Sequence, residues 1–166
     1  STSLFPLLNP WSPITENYRL VRANLRYASL RDGDEMAAPA QSMLITSPEP
    51  GDGKTTTAVN VAAGLARRGR KVLLVDLDSQ GSASVSLGVD QSDLSPSSAD
   101  VLFGDRSLRD TIRPTAVDNI DLLTGSLELA NADVRLKQQD RGQYRLASVL
   151  EEVEEEYQSI LIDCAP

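Results

Sequence analysis

The chain alternates between short runs that are apolar at nearly every position and longer stretches in which apolar residues recur at helical spacing. Residues 43–45, the run within 70–78, 120–123 and 159–164 are of the first kind. Continuous Val, Ile and Leu runs suit strands buried on both faces of a parallel sheet. Residues 54–68 read as a helix that stops at Gly69, and residues 141–157 as a helix leading into the last strand. Residues 82–99 are rich in Ser with Gly88 and Pro96, so they read as loop with room for one short helix. Brief helical turns are expected at 100–103 and 108–112. Near the start, Ser12 and Pro13 open a helix in which Ile14, Tyr18, Val21, Leu25 and Ala28 form one apolar stripe. Two units follow: residues 1–40 as arm, helix and polar linker, and residues 41–166 as an α/β domain. Four strands alternating with helices predict a three-layer sandwich around a mostly parallel sheet.

The junction between the first strand and its helix carries the chemistry. Residues 43–57 read strand, glycine loop, Lys-Thr, helix, close to the pattern G-x-x-x-x-G-K-[ST] with Pro48 in place of the first glycine. Such a loop turns backbone N–H groups toward a phosphate at a helix N-terminus. Gly51, Asp52, Gly53, Lys54, Thr55 and Thr56 are therefore the expected nucleotide-binding residues, with Lys54 reaching the β- and γ-phosphates and the Thr55 hydroxyl on Mg²⁺. Two other apolar runs end in acids, at Asp76 and Asp78 and at Asp163. Ligands in open α/β sheets lie beyond the carboxyl ends of the strands. There Asp76 and Asp163 can hold Mg²⁺, directly or through water, and Asp78 can accept a proton from an attacking hydroxyl or water. Lys54 and Asp78 are the catalytic candidates, and ATP or ADP with Mg²⁺ the expected cofactors.

With these residues together, the chain resembles the deviant-Walker P-loop ATPases, and two of their branches compete. The segment at 12–27, with Glu16, Arg19 and Arg22 in an E-x-x-R-x-x-R pattern, is similar to the helix before the P-loop in bacterial tyrosine kinases of polysaccharide export. Residues 75–84 and 161–166 look instead like the ParA and MinD partition ATPases, although Glu49 stands where those carry an extra lysine. The kinase resemblance implies a ring-forming homo-oligomer docked through Glu16, Arg19 and Arg22, tyrosine phosphorylation, and a membrane adaptor at the inner face of the membrane. The partition resemblance implies ATP-driven dimers on DNA. In both families the fold continues past the Asp163 strand into a loop that grips adenine, so the chain is expected to be truncated at its C-terminal end.

Charge and composition narrow this further. A net charge of −8 over 166 residues disfavours wide non-specific DNA binding and tilts the reading toward the kinase, with the partition ATPase as the alternative. Having no His, the chain lacks the usual general base, and its single cysteine, Cys164, excludes an internal disulfide and fits a cytoplasmic setting. Only 4% of residues are aromatic, so aliphatic side chains must fill the core. No uncharged apolar run approaches the roughly 20 residues of a membrane span.

Overall fold

A computed structural model describes residues 41–46 and 53–164. The expected oligomerisation helix with Glu16, Arg19 and Arg22, the rest of residues 1–40, and Gly51 and Asp52 lie outside the described residues. The strands are β1 (Gln41–Ile45), β2 (Val72–Leu77), β3 (Arg113–Pro114), β4 (Ile120–Leu123) and β5 (Ser159–Cys164). The α-helices are α1 (Lys54–Ala66), α2 (Ser82–Ser86), α3 (Ser98–Phe103), α4 (Leu108–Thr111), α5 (Ala132–Gln138) and α6 (Arg145–Leu150). The sheet runs β1-β5-β2-β4-β3, parallel throughout except for the antiparallel pairing of β3 with β4. The predicted α/β sandwich with a mostly parallel sheet is the observed architecture.

Strand β2 shows why the sheet needs helices on both sides. Val72, Leu73, Leu74 and Val75 are all fully buried, and successive side chains point to opposite faces. Val72 and Leu74 join Ile120, Leu122 and Leu161 against Ala58, Val59, Ala62, Ala63 and Ala66 of α1. Leu73 and Val75 join Leu123, Ile160 and Ile162 against Val101, Leu108, Val149, Leu150 and Val153. Burial of each such side chain contributes about 1.5–3 kcal/mol, so β2 anchors both layers. The alanines of α1 let that helix approach the sheet closely, where it packs against β5, β2 and β1.

Three elements differ from expectation. Residues 141–157 do not form one helix: a 3₁₀ turn at Gly142–Tyr144 precedes α6, and a second at Glu154–Glu156 follows it. Glu151, Glu152, Glu154, Glu155 and Glu156 would crowd like charges at the negative end of a longer helix, and the chain turns instead to bury Val153. The two-residue strand β3 is too short to show in a hydrophobic pattern, and its proline sits on the sheet edge, where an N–H is not needed. Residues 127–138, in which polar and apolar positions are equally mixed, form a 3₁₀ turn and α5; Arg135 lies over the Phe103 ring at 3.6 Å.

Leu74→Ala is expected to destabilise the protein by about 3 kcal/mol, because its site is enclosed by sheet and α1 and cannot collapse. Leu44, 59% exposed on the edge strand β1, is the control. Urea unfolding should show Leu44→Ala within about 0.5 kcal/mol of the wild type; equal losses at both positions would contradict this assignment of the core.

Candidate functional site

The N-terminus of α1 is shaped by one glycine. Gly53 precedes Lys54 with φ 80°, a left-handed conformation that costs an L side chain but not glycine. A Cβ there would meet nothing within 4 Å, so conformation and not space selects the residue. Three successive β-branched threonines are poor helix formers, and local bonds offset this. The Thr57 hydroxyl donates to the Gly53 carbonyl at 2.9 Å, and the Asn60 amide to the Thr56 carbonyl at 2.7 Å. Lys54 and Thr55 are partly exposed and Thr56 is exposed, with the helix dipole behind them.

The acids arrive from the neighbouring strands. Asp76 and Asp163 are paired across the parallel β2–β5 ladder and are 0% and 1% exposed. Their surroundings differ. Asp76 Oδ1 accepts the Asp78 N–H at 3.0 Å, and Oδ2 accepts the Ser84 N–H at 2.9 Å and the Ser84 hydroxyl at 2.7 Å. Burial raises its pKa, and these hydrogen bonds oppose the rise. Among the described residues, neither oxygen of Asp163 has a hydrogen-bond partner. Burial pushes its carboxyl up to about 6; the Thr55 hydroxyl and the Lys54 charge pull it down, and the Asp76 and Asp78 charges push it up. The Thr55 hydroxyl is thus near enough to Asp163 to act on its charge. Asp78 sits in the turn after β2, where its carboxylate accepts the Gln80 N–H and its carbonyl the Gly81 N–H, each at 3.0 Å.

Lys54, Thr55, Asp76, Asp78 and Asp163 therefore share one electrostatic environment at the carboxyl end of the sheet. Of the two acids expected to hold metal, Asp163 has no hydrogen-bond partner on either oxygen among the described residues, and Asp76 has both oxygens hydrogen-bonded. Supporting residues escaped the sequence reading. Ser84 and Ser98 anchor Asp76 through its carboxylate and its carbonyl, the latter at 2.8 Å. Gly125 lies so close that a Cβ would fall 2.5 Å from the Asp78 carbonyl oxygen and 2.8 Å from the Asp76 carboxylate. The available signal was a run of small residues after Asp-x-Asp and a glycine two residues after β4.

The Asp163 carboxyl makes stability depend on pH. Its folded pKa lies above the ordinary 3.8, so the fold favours the protonated form. The stability this contributes is full below the ordinary value and is lost as pH rises through about 6. Without divalent cations, Asp163→Asn should therefore gain on the order of 2 kcal/mol relative to wild type between pH 4 and pH 8. Urea unfolding at the two pH values measures this, and a pH-independent effect of the substitution would contradict it.

Comparison with known proteins places this geometry. An AAA domain family profile matches residues 41–166. The sporulation initiation inhibitor protein Soj of Bacillus subtilis is 41% identical over 124 residues, covering 75% of this chain and 49% of Soj. The chromosome partitioning protein ParA of Myxococcus xanthus is 36% identical over 130 residues, covering 78% and 46%. The chain thus spans about half the length of these relatives. Among solved structures, cobyrinic acid a,c-diamide synthase from Mycobacterium smegmatis, with bound ADP and magnesium, superposes with a TM-score of 0.72 at 34% identity over 76% of this chain and 51% of its own. The chimerical protein CapA2B2 superposes with a TM-score of 0.74 at 28% identity over 100% and 67%. With that profile spanning most of its length, the chain belongs to the AAA domain family of P-loop ATPases, among relatives that include the ParA partition ATPases.

Proposed function

We propose that this chain is the phosphate-binding portion of a ParA-like ATPase that binds ATP with Mg²⁺ and couples hydrolysis to self-association on DNA. The observation that carries the ATP site is Asp163, a buried carboxylate with no hydrogen-bond partner among the described residues, influenced by the Thr55 hydroxyl and the Lys54 charge at the start of α1. A hard cation with oxygen ligands fits that position. Asp163 and Thr55 would hold it, directly or through water, and it would supply positive charge against the phosphates when bound. Lys54 stabilises charge on the β- and γ-phosphates, and the N–H groups at the α1 N-terminus, with Gly51, Asp52, Gly53 and Thr56, enclose them. Asp78 orients the attacking water and takes up its proton. Asp76, with its oxygens committed to Asp78 and Ser84, adds negative charge and holds the turn that carries Asp78.

The partition reading now stands ahead of the tyrosine-kinase reading, because the named relatives include chromosome partitioning proteins. One observation favours the second reading: the CapA2B2 match covers 100% of this chain, against 76% for cobyrinic acid a,c-diamide synthase. Under that reading Glu16, Arg19 and Arg22 form a docking ridge between subunits, a membrane adaptor supplies activation, and Asp78 accepts a tyrosine proton.

In the full-length gene product, Lys54→Ala should lower phosphate release from ATP at least 100-fold while leaving the melting profile in place. Asp78→Asn should cut kcat far more than it weakens ATP binding, since a group that assists proton transfer acts in the transition state. Parallel losses would make Asp78 a binding residue. Incubation with ATP and Mg²⁺ should raise hydrolysis on addition of DNA and leave no phosphotyrosine by mass spectrometry. Stoichiometric phosphotyrosine, together with monomers after Glu16, Arg19 and Arg22 are all changed to Ala, would reverse the order of the two readings.

A further inference from the structure

Ser84 occupies a position that the proposed chemistry does not yet use. It is fully buried in α2, eight residues beyond Asp76, and its hydroxyl is engaged in both directions. The hydroxyl donates to Asp76 Oδ2 at 2.7 Å and accepts the Gly125 N–H at 3.1 Å. One oxygen atom thereby ties the end of β2 to the end of β4. The other carboxylate oxygen of Asp76 accepts the Asp78 N–H, so the orientation of the Asp78 turn depends on where Asp76 is held. Gly125 completes the arrangement, since any side chain there would strike both Asp76 and the Asp78 carbonyl.

We propose that Ser84 is a positioning residue for phosphoryl transfer, acting through Asp76 to fix the Asp78 turn, with Gly125 as its backbone partner. This rests on the reading of Lys54 and Asp78 as catalytic. A buried hydroxyl that served the fold alone would stabilise the protein without separating turnover from binding. A positioning hydroxyl must separate them, because a displacement of Asp78 by a fraction of an ångström affects the transition state more than ground-state binding.

The test uses the full-length protein with Ser84→Ala and Ser84→Thr, ATP and Mg²⁺, and Lys54→Ala as the control for the site. Ser84→Ala should lower kcat at least tenfold with ATP affinity within about threefold. Ser84→Thr, which retains the hydroxyl, should recover more than half of the loss. Amide exchange at Asp78 and Gly125 should quicken at least tenfold in Ser84→Ala and stay near wild type in Ser84→Thr. An unchanged kcat, equal losses in kcat and affinity, or unchanged exchange at both amides would overturn the proposal. Loss of turnover in Lys54→Ala alongside an unaffected Ser84→Ala would refute the role of Ser84 alone. Unaffected turnover in Lys54→Ala would instead refute the site on which the role rests. If Ser84→Ala unfolds, Ser84→Cys, which fills the same space with a much weaker donor, provides the same readouts.

Discussion

Two carboxylates taken out of water side by side are the constraint around which this domain is arranged. Asp76 and Asp163 face each other across β2 and β5 with almost no exposure. Burying two like charges together is unfavourable, and proteins compensate with donors, cations or protonation. Asp76 has its compensation within the chain, from three donors on Asp78 and Ser84. Among the described residues Asp163 has no such hydrogen-bond partner, and burial raises its pKa to about 6. A fold under selection for stability alone has no reason to keep such a group, whereas a cation-dependent phosphate site gives it a role.

The rest of the architecture places those acids where they can act. Strand β2 must be apolar on both faces to lie at the centre of the sheet, so its first polar residue emerges where the strand leaves the core, at the edge above which α1 begins. Strand β5, the last in the chain, pairs between β1 and β2 and so brings Asp163 beside Asp76 and beneath the start of α1. The same insertion couples the two helical layers, because Leu161 packs toward α1 while Ile160 and Ile162 pack toward α3 and α6.

What the sequence made legible follows from how strongly each element is dictated locally. The four main strands and α1 announce themselves because buried strands are continuous in Val, Ile and Leu, and because the glycine-Lys-Thr junction has few structural alternatives. Lys54, Thr55, Asp76, Asp78 and Asp163 were readable as one group for the same reason. Ser84 and Gly125 were not, since their importance comes from the approach of β4 to β2, a contact between residues 41 positions apart. The break-up of residues 141–157 was hidden as well: apolar spacing there suits a helix, and only the need to seat Val153 and Tyr157 under β2 and β5 ends it. Tyr157 also reaches Asp121 at 2.9 Å and carries Lys71 over its ring at 4.6 Å, anchoring the segment at the far end of the sheet from the acids.

Under the proposed function, a cation-bound nucleotide completes the surroundings of the buried Asp163 carboxylate. Thermal unfolding of the wild-type full-length protein with a non-hydrolysable ATP analogue, in Mg²⁺ and in chelator, addresses this directly. The expected result is a rise of several degrees that requires both analogue and Mg²⁺ and shrinks by more than half in Asp163→Ala. A rise that is the same in chelator, or one untouched by the loss of Asp163, would contradict it.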